Sequence, residues 1–351
     1  MDIIMDTPKL QIIPEHLNLI SKIDEFKGKW QALRNLAPDR LALLKRVATI
    51  ESVGSSTRIE GAKLTDSEVE KLLSGLSTAS FQSRDEEEVA GYAEAIELIF
   101  DSYDEIQTSE NQIKQIHQIL LKHSTKDARH RGEYKKFPNH VEAFSDDGRS
   151  LGIVFETASP FETPFKMAEL LEWFNMQEEK RDLHHLLIIS IFLVHFLAIH
   201  PFQDGNGRLS RILTILLLLK SGYSYVPYSS LERVIEDNKE QYYLALRRAQ
   251  STLYTDNSRI NDWILFFLGS LRKQISVLES KIEVEKLITE LPPLSQDIIQ
   301  IAREHGKITV RDVRSITGAN RNTIKAHIKE LARRGRLKMV GAGKGTWYKL
   351  P

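Results

Sequence analysis

Between two apolar segments the chain crowds groups able to handle an anion and a proton: His200-Pro201-Phe202-Gln203-Asp204-Gly205-Asn206-Gly207-Arg208-Leu209-Ser210-Arg211. Gly205 and Gly207 admit positive φ and leave backbone N–H groups unshielded, and the residues that follow read as the start of a helix. The unsatisfied N–H groups of that first turn, at the positive end of its dipole, form a cradle for phosphate. Arg208 and Arg211, three residues apart, share a helix face and suit a polyphosphate through charge-assisted bonds. Asp204 is a hard oxygen ligand suited to Mg²⁺ bridging phosphates. His200 titrates close enough to neutral pH to accept a hydroxyl proton. Each has an ordinary structural use when taken singly. Assembled in one short segment, where packing disfavours charge, they read as a group-transfer site.

The elements that must position this segment are helical. Leu186 to Ile199 is too short, at under about 20 residues, to span a bilayer, and reads as a buried core helix. Helical spacing of apolar residues runs from Leu19 to Leu73, Val89 to Phe100, Ser109 to His123 and Pro164 to Met176. Thr65 and Glu68 have capping-box spacing, so one helix starts there and an earlier one stops near Gly61. Residues 132–160 change character. Val141, Phe144, Ile153, Val154 and Phe155 flank an Asp147-Gly148 pair, the pattern of a β-hairpin. Leu268, Leu271, Ile275, Leu278 and Ile282 lie three and four apart, a stripe for packing on the body or for a coiled-coil seam, and Pro292-Pro293 ends it.

The 351 residues, 41% hydrophobic and 27% charged, predict a globular protein of two or three folded units. Zero cysteines exclude disulfides, thiolate metal sites, iron–sulfur clusters and a cysteine nucleophile. The N-terminus lacks a signal-peptide pattern, which predicts an intracellular, cytoplasmic protein without a membrane span. Formal net charge is zero but unevenly spread: residues 291–351 hold 13 Lys and Arg against 4 Asp and Glu, a net of +9, and residues 1–290 carry −9.

The segment fills every specified position of HPFx(D/E)GNGRxxR, and on it the chain resembles the Fic (filamentation induced by cAMP) domain family. The resemblance implies a mainly α fold with a helical core and a β-hairpin flap. It implies an enzyme, a nucleotidyltransferase that moves AMP from ATP to a hydroxyl side chain (Ser, Thr or Tyr) of a protein with release of pyrophosphate. Carried over by position, His200 deprotonates the hydroxyl, Asp204 ligates Mg²⁺, Asn206 with the Gly205 and Gly207 backbone holds phosphates, Arg208 and Arg211 contact the outer phosphates, and Phe202 anchors the turn. The related Doc toxins, which transfer the γ-phosphate, have Lys where this chain has Gly207. Residues 133–156 stand where the family has its flap, although Lys136-Phe137-Pro138-Asn139-His140 departs from the flap sequence of its best-known members and leaves target preference open. Tyr242 and Tyr243 stand where the family often closes the nucleotide pocket; tyrosines on a helix also serve as core.

Ser56 and Glu60 are at i and i+4, on one helical face, a spacing that surface residues often share. In a chain resembling this family, Ser55-Ser56-Thr57-Arg58-Ile59-Glu60-Gly61 matches the (S/T)xxxE(G/N) inhibitory motif. The resemblance implies that Glu60 pairs with Arg211 in place of the γ-phosphate, with Ser56 positioning the helix, so that the enzyme restrains itself.

Residues 294–351 read as three helices and a glycine-rich hairpin, which resembles a winged helix-turn-helix. Arg321, Asn322, Thr323, Lys325 and His327 near the start of its third helix are groove-reading types, and duplex DNA and a protein surface both remain open as partners. The domains expected are an N-terminal helical region (1–110) with the inhibitory helix, a catalytic core (111–255), a connecting helix (256–290) and the winged helix (291–351). Partners expected are a protein with a hydroxyl side chain, the chain itself included, with homo-oligomerisation open. Two alternatives stand beside transfer of AMP: an ATP-sensing DNA-binding transcription regulator, and an enzyme using another nucleotide donor or removing AMP.

Overall fold

The computed structural model describes residues 10–33, 38–75, 81–144, 150–289, 291–341 and 343–351. Contacts gather the chain into two units, Met1–Leu278 and Glu279–Pro351. The expected 1–110, 111–255 and the start of 256–290 all share the first unit.

In the first unit α1 (Pro14–Leu33), α2 (Pro38–Ile59), α3 (Asp66–Ser74), α4 (Arg84–Ser102) and α5 (Glu110–Leu120) precede the hairpin. The Thr65 capping box forms: the Thr65 side chain accepts the Glu68 N–H and Glu68 accepts the Thr65 N–H. Ser83 and Ser109 cap α4 and α5 in the same sense, each accepting an N–H three residues on. β1 (His140–Phe144) and β2 (Ser150–Glu156) pair antiparallel, with Val141 opposite Phe155, Ala143 opposite Gly152 and two irregularities of register. The Asp147-Gly148 pair expected at the tip lies outside the described residues.

Then come α6 (Thr163–Lys180), α7 (His185–Ile199), α8 (Asn206–Lys220), α9 (Leu231–Glu236), α10 (Lys239–Gln250) and α11 (Ile260–Thr289). Every residue from Leu186 to Ile199 is buried. A helix apolar all round has no face for water and must be central, and α7 packs against α6 and α8. α2 packs on α4 and α9, which brings a segment far away in sequence to the start of α8. Leu268, Leu271, Ile275 and Leu278 of α11 are buried within the unit, so the stripe is used for packing on the helical body. No helix among the described residues is long and apolar enough to cross a membrane.

The second unit holds α12 (Pro293–His305), α13 (Val310–Thr317), α14 (Arg321–Arg333) and an antiparallel ribbon of β3 (Lys338–Val340) and β4 (Trp347–Lys349). Ile298, Ile308, Val313, Ile324, Ile328 and Leu331 form its own core. Gly318 at φ +69° ends α13, and a three-residue turn leads to α14.

Candidate active site

α7 ends on His200 in the left-handed region, φ +52° and ψ 61°, with its N–H donating to Phe196 O at 2.9 Å. A non-glycine residue holds that conformation only when its surroundings fix it, and here they do. The Phe202 N–H donates to Asn206 Oδ1 (2.9 Å) while Asn206 Nδ2 donates to Phe202 O (2.7 Å), which clasps the turn. Tyr134 bridges to Phe202 across the backbone, and the Lys135 N–H donates to Pro201 O at 2.9 Å. Gly205, at φ +80°, starts α8 with no side-chain cap. The first backbone N–H groups of α8 are therefore free to meet an anion. The Asn206 side chain is spent on Phe202, so what it offers such an anion is its backbone N–H.

Beneath the turn lies a histidine that the sequence did not single out. His117 is fully buried, stacks on Phe202 with ring centres 3.8 Å apart, accepts the Gly132 N–H on Nδ1 (2.9 Å) and donates from Nε2 to Asp204 O (3.0 Å). Both nitrogens are used by the neutral ring, and burial holds its pKa down to about 4. It joins the hairpin's approach, the turn and the Asp204 backbone in one piece.

His200 itself has Nδ1 3.4 Å from Leu197 O. A proton on Nδ1 leaves the Nε2 lone pair open. Burial, and next the Lys135 ammonium, pull the imidazole down to about 4, against the opposing effects of the Leu197 carbonyl, Glu60 and Asp204. It is neutral at physiological pH and able to take a proton.

Asp204 accepts from its neighbour Gly205 N–H (2.6 Å), from Arg208 Nη2 (3.2 Å) and from Arg84 Nη2 (3.1 Å). Burial raises its pKa, but Arg208, the Gly205 N–H and Arg84 outweigh that, so the carboxylate is ionised. Arg208, 2% exposed, also pairs with Glu88 at 3.1 Å. The two arginines thus face different carboxylates, Arg208 toward Glu88 and Asp204, and Arg211 toward Glu60. Among the described residues no group of three or more His, Asp or Glu could hold a metal ion. A single ionised, partly exposed carboxylate fits Mg²⁺ that takes its remaining ligands from phosphates and water.

Arg211, 4% exposed, is engaged by α2 and the turn after it: Nε donates to Ser56 Oγ (2.8 Å), Nη2 to Ser56 O (2.9 Å) and to Glu60 Oε1 (2.7 Å). α2 stops at Ile59, so Glu60 stands in the turn that follows the helix. Burial pushes the Glu60 carboxyl up, but Arg211, then Arg208 and His200, bring it below the ordinary carboxylate value. The carboxylate also lies against Gly207, where a Cβ would run into it. An anion therefore already sits over the first turn of α8.

Behind Arg211 is a cavity of about 20 Å³ lined by Tyr242, Trp263, Phe266 and Glu232 among others, room for about one water. Tyr242 is buried there, edge-on to Trp263. Tyr243 is half-buried with its hydroxyl 3.5 Å from Ile59 O, at the end of α2. That void is too small for a nucleotide base.

His200, Asp204, the α8 start and Arg211 lie together in one segment, and Ser56 and Glu60 join them at Arg211, an approach that the resemblance implied and their spacing alone did not. The residues missed are His117, Lys135, Asn139, Arg84 and Glu88. Arg84 and Glu88 sit in Arg84-Asp85-Glu86-Glu87-Glu88, which reads as a solvated acidic run. Their one signal was the i, i+4 spacing that lets them pair at 2.7 Å.

Residues 107–218 match the Fic/DOC family. The chain is 26% identical over 232 residues to the protein adenylyltransferase Fic of Drosophila mojavensis, covering 66% of this chain and 42% of that protein. It therefore spans about two-fifths of the length of the curated relatives it matches. In fold it is similar to a Fic family protein from Desulfovibrio desulfuricans G20 (TM-score 0.63, 23% identity, 98% of both chains). It is also similar in fold to a Fic domain containing signaling protein from Bacteroides thetaiotaomicron (TM-score 0.59, 24% identity, 77% of this chain and 97% of that one).

Proposed function

We propose, from the match of residues 107–218 to the Fic/DOC family, that the chain is a self-restrained protein adenylyltransferase, using ATP and Mg²⁺ to place AMP on a protein hydroxyl. The observation that carries this reading is the Glu60 carboxylate held on Arg211 over Gly207, where a phosphate would otherwise meet the α8 N-terminus. A carboxylate and a phosphate compete for one guanidinium.

With Glu60 displaced, the α8 N–H groups and Arg211 orient the phosphates. Asp204 would hold Mg²⁺, which when bound would supply neutralisation of phosphate charge. The neutral His200 takes the hydroxyl proton at Nε2 as the oxygen bonds to the α-phosphorus, and the bond from that phosphorus to the β-bridging oxygen breaks with its electron pair leaving on pyrophosphate. For the second unit the reading is duplex DNA contact by α14. Its exposed Asn322, Lys325 and Lys329 support this, and the neighbouring Glu330 is bonded to Arg333 and Arg334.

The test is incubation of wild-type, Glu60→Gly and His200→Ala/Glu60→Gly proteins with ATP labelled at either the α- or γ-phosphate. Expected is α-label on protein with Glu60→Gly, little with wild type, and none once His200 is gone. γ-Label alone would sink the adenylyl reading.

A further inference from the structure

Lys135 is a buried cation without an acidic partner among its hydrogen bonds. It is 3% exposed, and Nζ donates to Asn139 Oδ1 (2.8 Å), Thr157 Oγ1 (2.9 Å) and Ile199 O (3.0 Å), using its three protons on neutral oxygens. Asn139 immediately precedes β1 and Thr157 immediately follows β2, so these are the two feet of the hairpin. The feet are also joined to each other, Thr157 Oγ1 donating to Asn139 O at 2.5 Å. Asn139 Nδ2 donates in turn to Phe202 O at 2.7 Å. The third acceptor, Ile199 O, belongs to the last residue of α7, directly before His200. A cation there also meets the negative end of the α7 dipole. Nothing in the local sequence required a charge at this place: an apolar side chain would fill the space without the cost of burying an ammonium.

We propose that Lys135 is the positioning residue of the acceptor side of the reaction, fastening both feet of the β1–β2 hairpin to the end of the helix that carries His200 and so fixing where an incoming hydroxyl meets that imidazole. The inference rests on the adenylyl-transfer reading. It explains why the bond set converges on α7 and the turn and not on the phosphate cradle, which Lys135 does not touch. Loosening the hairpin misplaces the acceptor while leaving ATP binding intact.

Burial, then Lys166, lower the Lys135 pKa to about 8, with Glu162 opposing, and His200 is the other titratable group within its field. A lysine whose pKa is lowered is charged below that value and loses its charge and one donor as pH rises through it. An arginine at the same place stays charged throughout.

The experiment uses the full-length chain with Glu60→Gly as parent, itself as acceptor and α-labelled ATP as donor. Lys135→Met is expected to lower labelling by about 10- to 100-fold with ATP affinity by calorimetry unchanged. Lys135→Arg is expected to restore most of the rate and to abolish a decline above about pH 8 that the lysine enzyme shows. Thr157→Val, which frees one foot and leaves Lys135 in place, is expected to give a smaller loss, and serves if Lys135→Met does not fold. Labelling by Lys135→Met equal to the parent, a loss of ATP affinity in step with the rate, or the same alkaline decline with arginine would overturn the inference. A Glu60→Gly parent that never labels would instead overturn the adenylyl reading beneath it.

Discussion

Arg211 gives Nε and one Nη to α2 and its end, and under the proposed self-restraint the quality of that grip sets how well it works. Glu60 supplies the charge. Ser56 supplies an acceptor that fixes the plane of the guanidinium, so that the remaining Nη2 proton points at the carboxylate. Ser56→Ala keeps the ion pair and loses one hydrogen bond to a charged group, worth about 1.5–3 kcal/mol in a buried setting. Part of that is regained by repacking. Transfer by Ser56→Ala should exceed wild type by roughly tenfold and remain below Glu60→Gly, as read from α-label on protein under identical ATP. Equal rates for Ser56→Ala and wild type would remove Ser56 from the restraint.

At the scale of elements the proposed restraint would depend on where α2 is held. Arg58, between Ser56 and Glu60 in sequence, turns to the opposite side. Its Nε donates to Glu236 Oε1 (2.6 Å), Nη1 to Leu64 O (2.8 Å) and Nη2 to Asp66 (2.9 Å). It thereby ties the end of α2 to α9 and to the start of α3. Buried Tyr92 of α4 adds a bond to Glu232 of α9 at 2.9 Å. The end of α2, just before Glu60, is thus pinned by Arg58 to α9 and to the start of α3. Glu236→Ala removes the Arg58–Glu236 ion pair while leaving Glu60 and Arg211 intact. It should raise transfer several-fold through freer motion of the α2 end, an effect of about 1 kcal/mol for a part-exposed pair, with unchanged far-ultraviolet circular dichroism. No change in rate would mean that α2 is held by its apolar face alone.

For the whole molecule the informative contrast is electrostatic, a net of +9 in residues 291–351 against −9 in the remainder. An acidic body repels nucleic acid, so any attraction must come from the second unit. The full chain should bind a random-sequence duplex at low salt and lose that binding steeply between roughly 50 and 200 mM salt, because released counterions carry the affinity. Lys329→Ala should reduce the slope of log Kobs against log salt by about one if that side chain meets a phosphate. Fluorescence anisotropy of a labelled duplex measures both. No binding at the lowest salt would leave α14 without its proposed partner.

The sequence by itself carried the turn from His200 to Arg211, its placement between two apolar helices and the three-helix basic module, legible because each is written in contiguous residues with local periodicity; Ser56 and Glu60 stood out only through the family resemblance, since surface residues share their spacing. The helix start at Thr65 and the helix end near Gly61 were legible for the same reason, since capping is a matter of neighbours three or four residues apart. Only the tertiary structure decided which groups hold that chemistry in place. His117 lies 87 residues from the Asp204 carbonyl it bonds, and Lys135 lies 64 from Ile199 O. A lone histidine on a helix and a lysine beside a tyrosine have no local mark that separates them from surface residues. Their meaning arises when chain packing removes water and leaves each donor only the acceptors that the fold supplies. The different directions taken by Arg208 and Arg211 have the same origin: helical spacing put them near one another, and the carboxylates of α4 and of the α2 end, arriving from elsewhere in the chain, drew them apart.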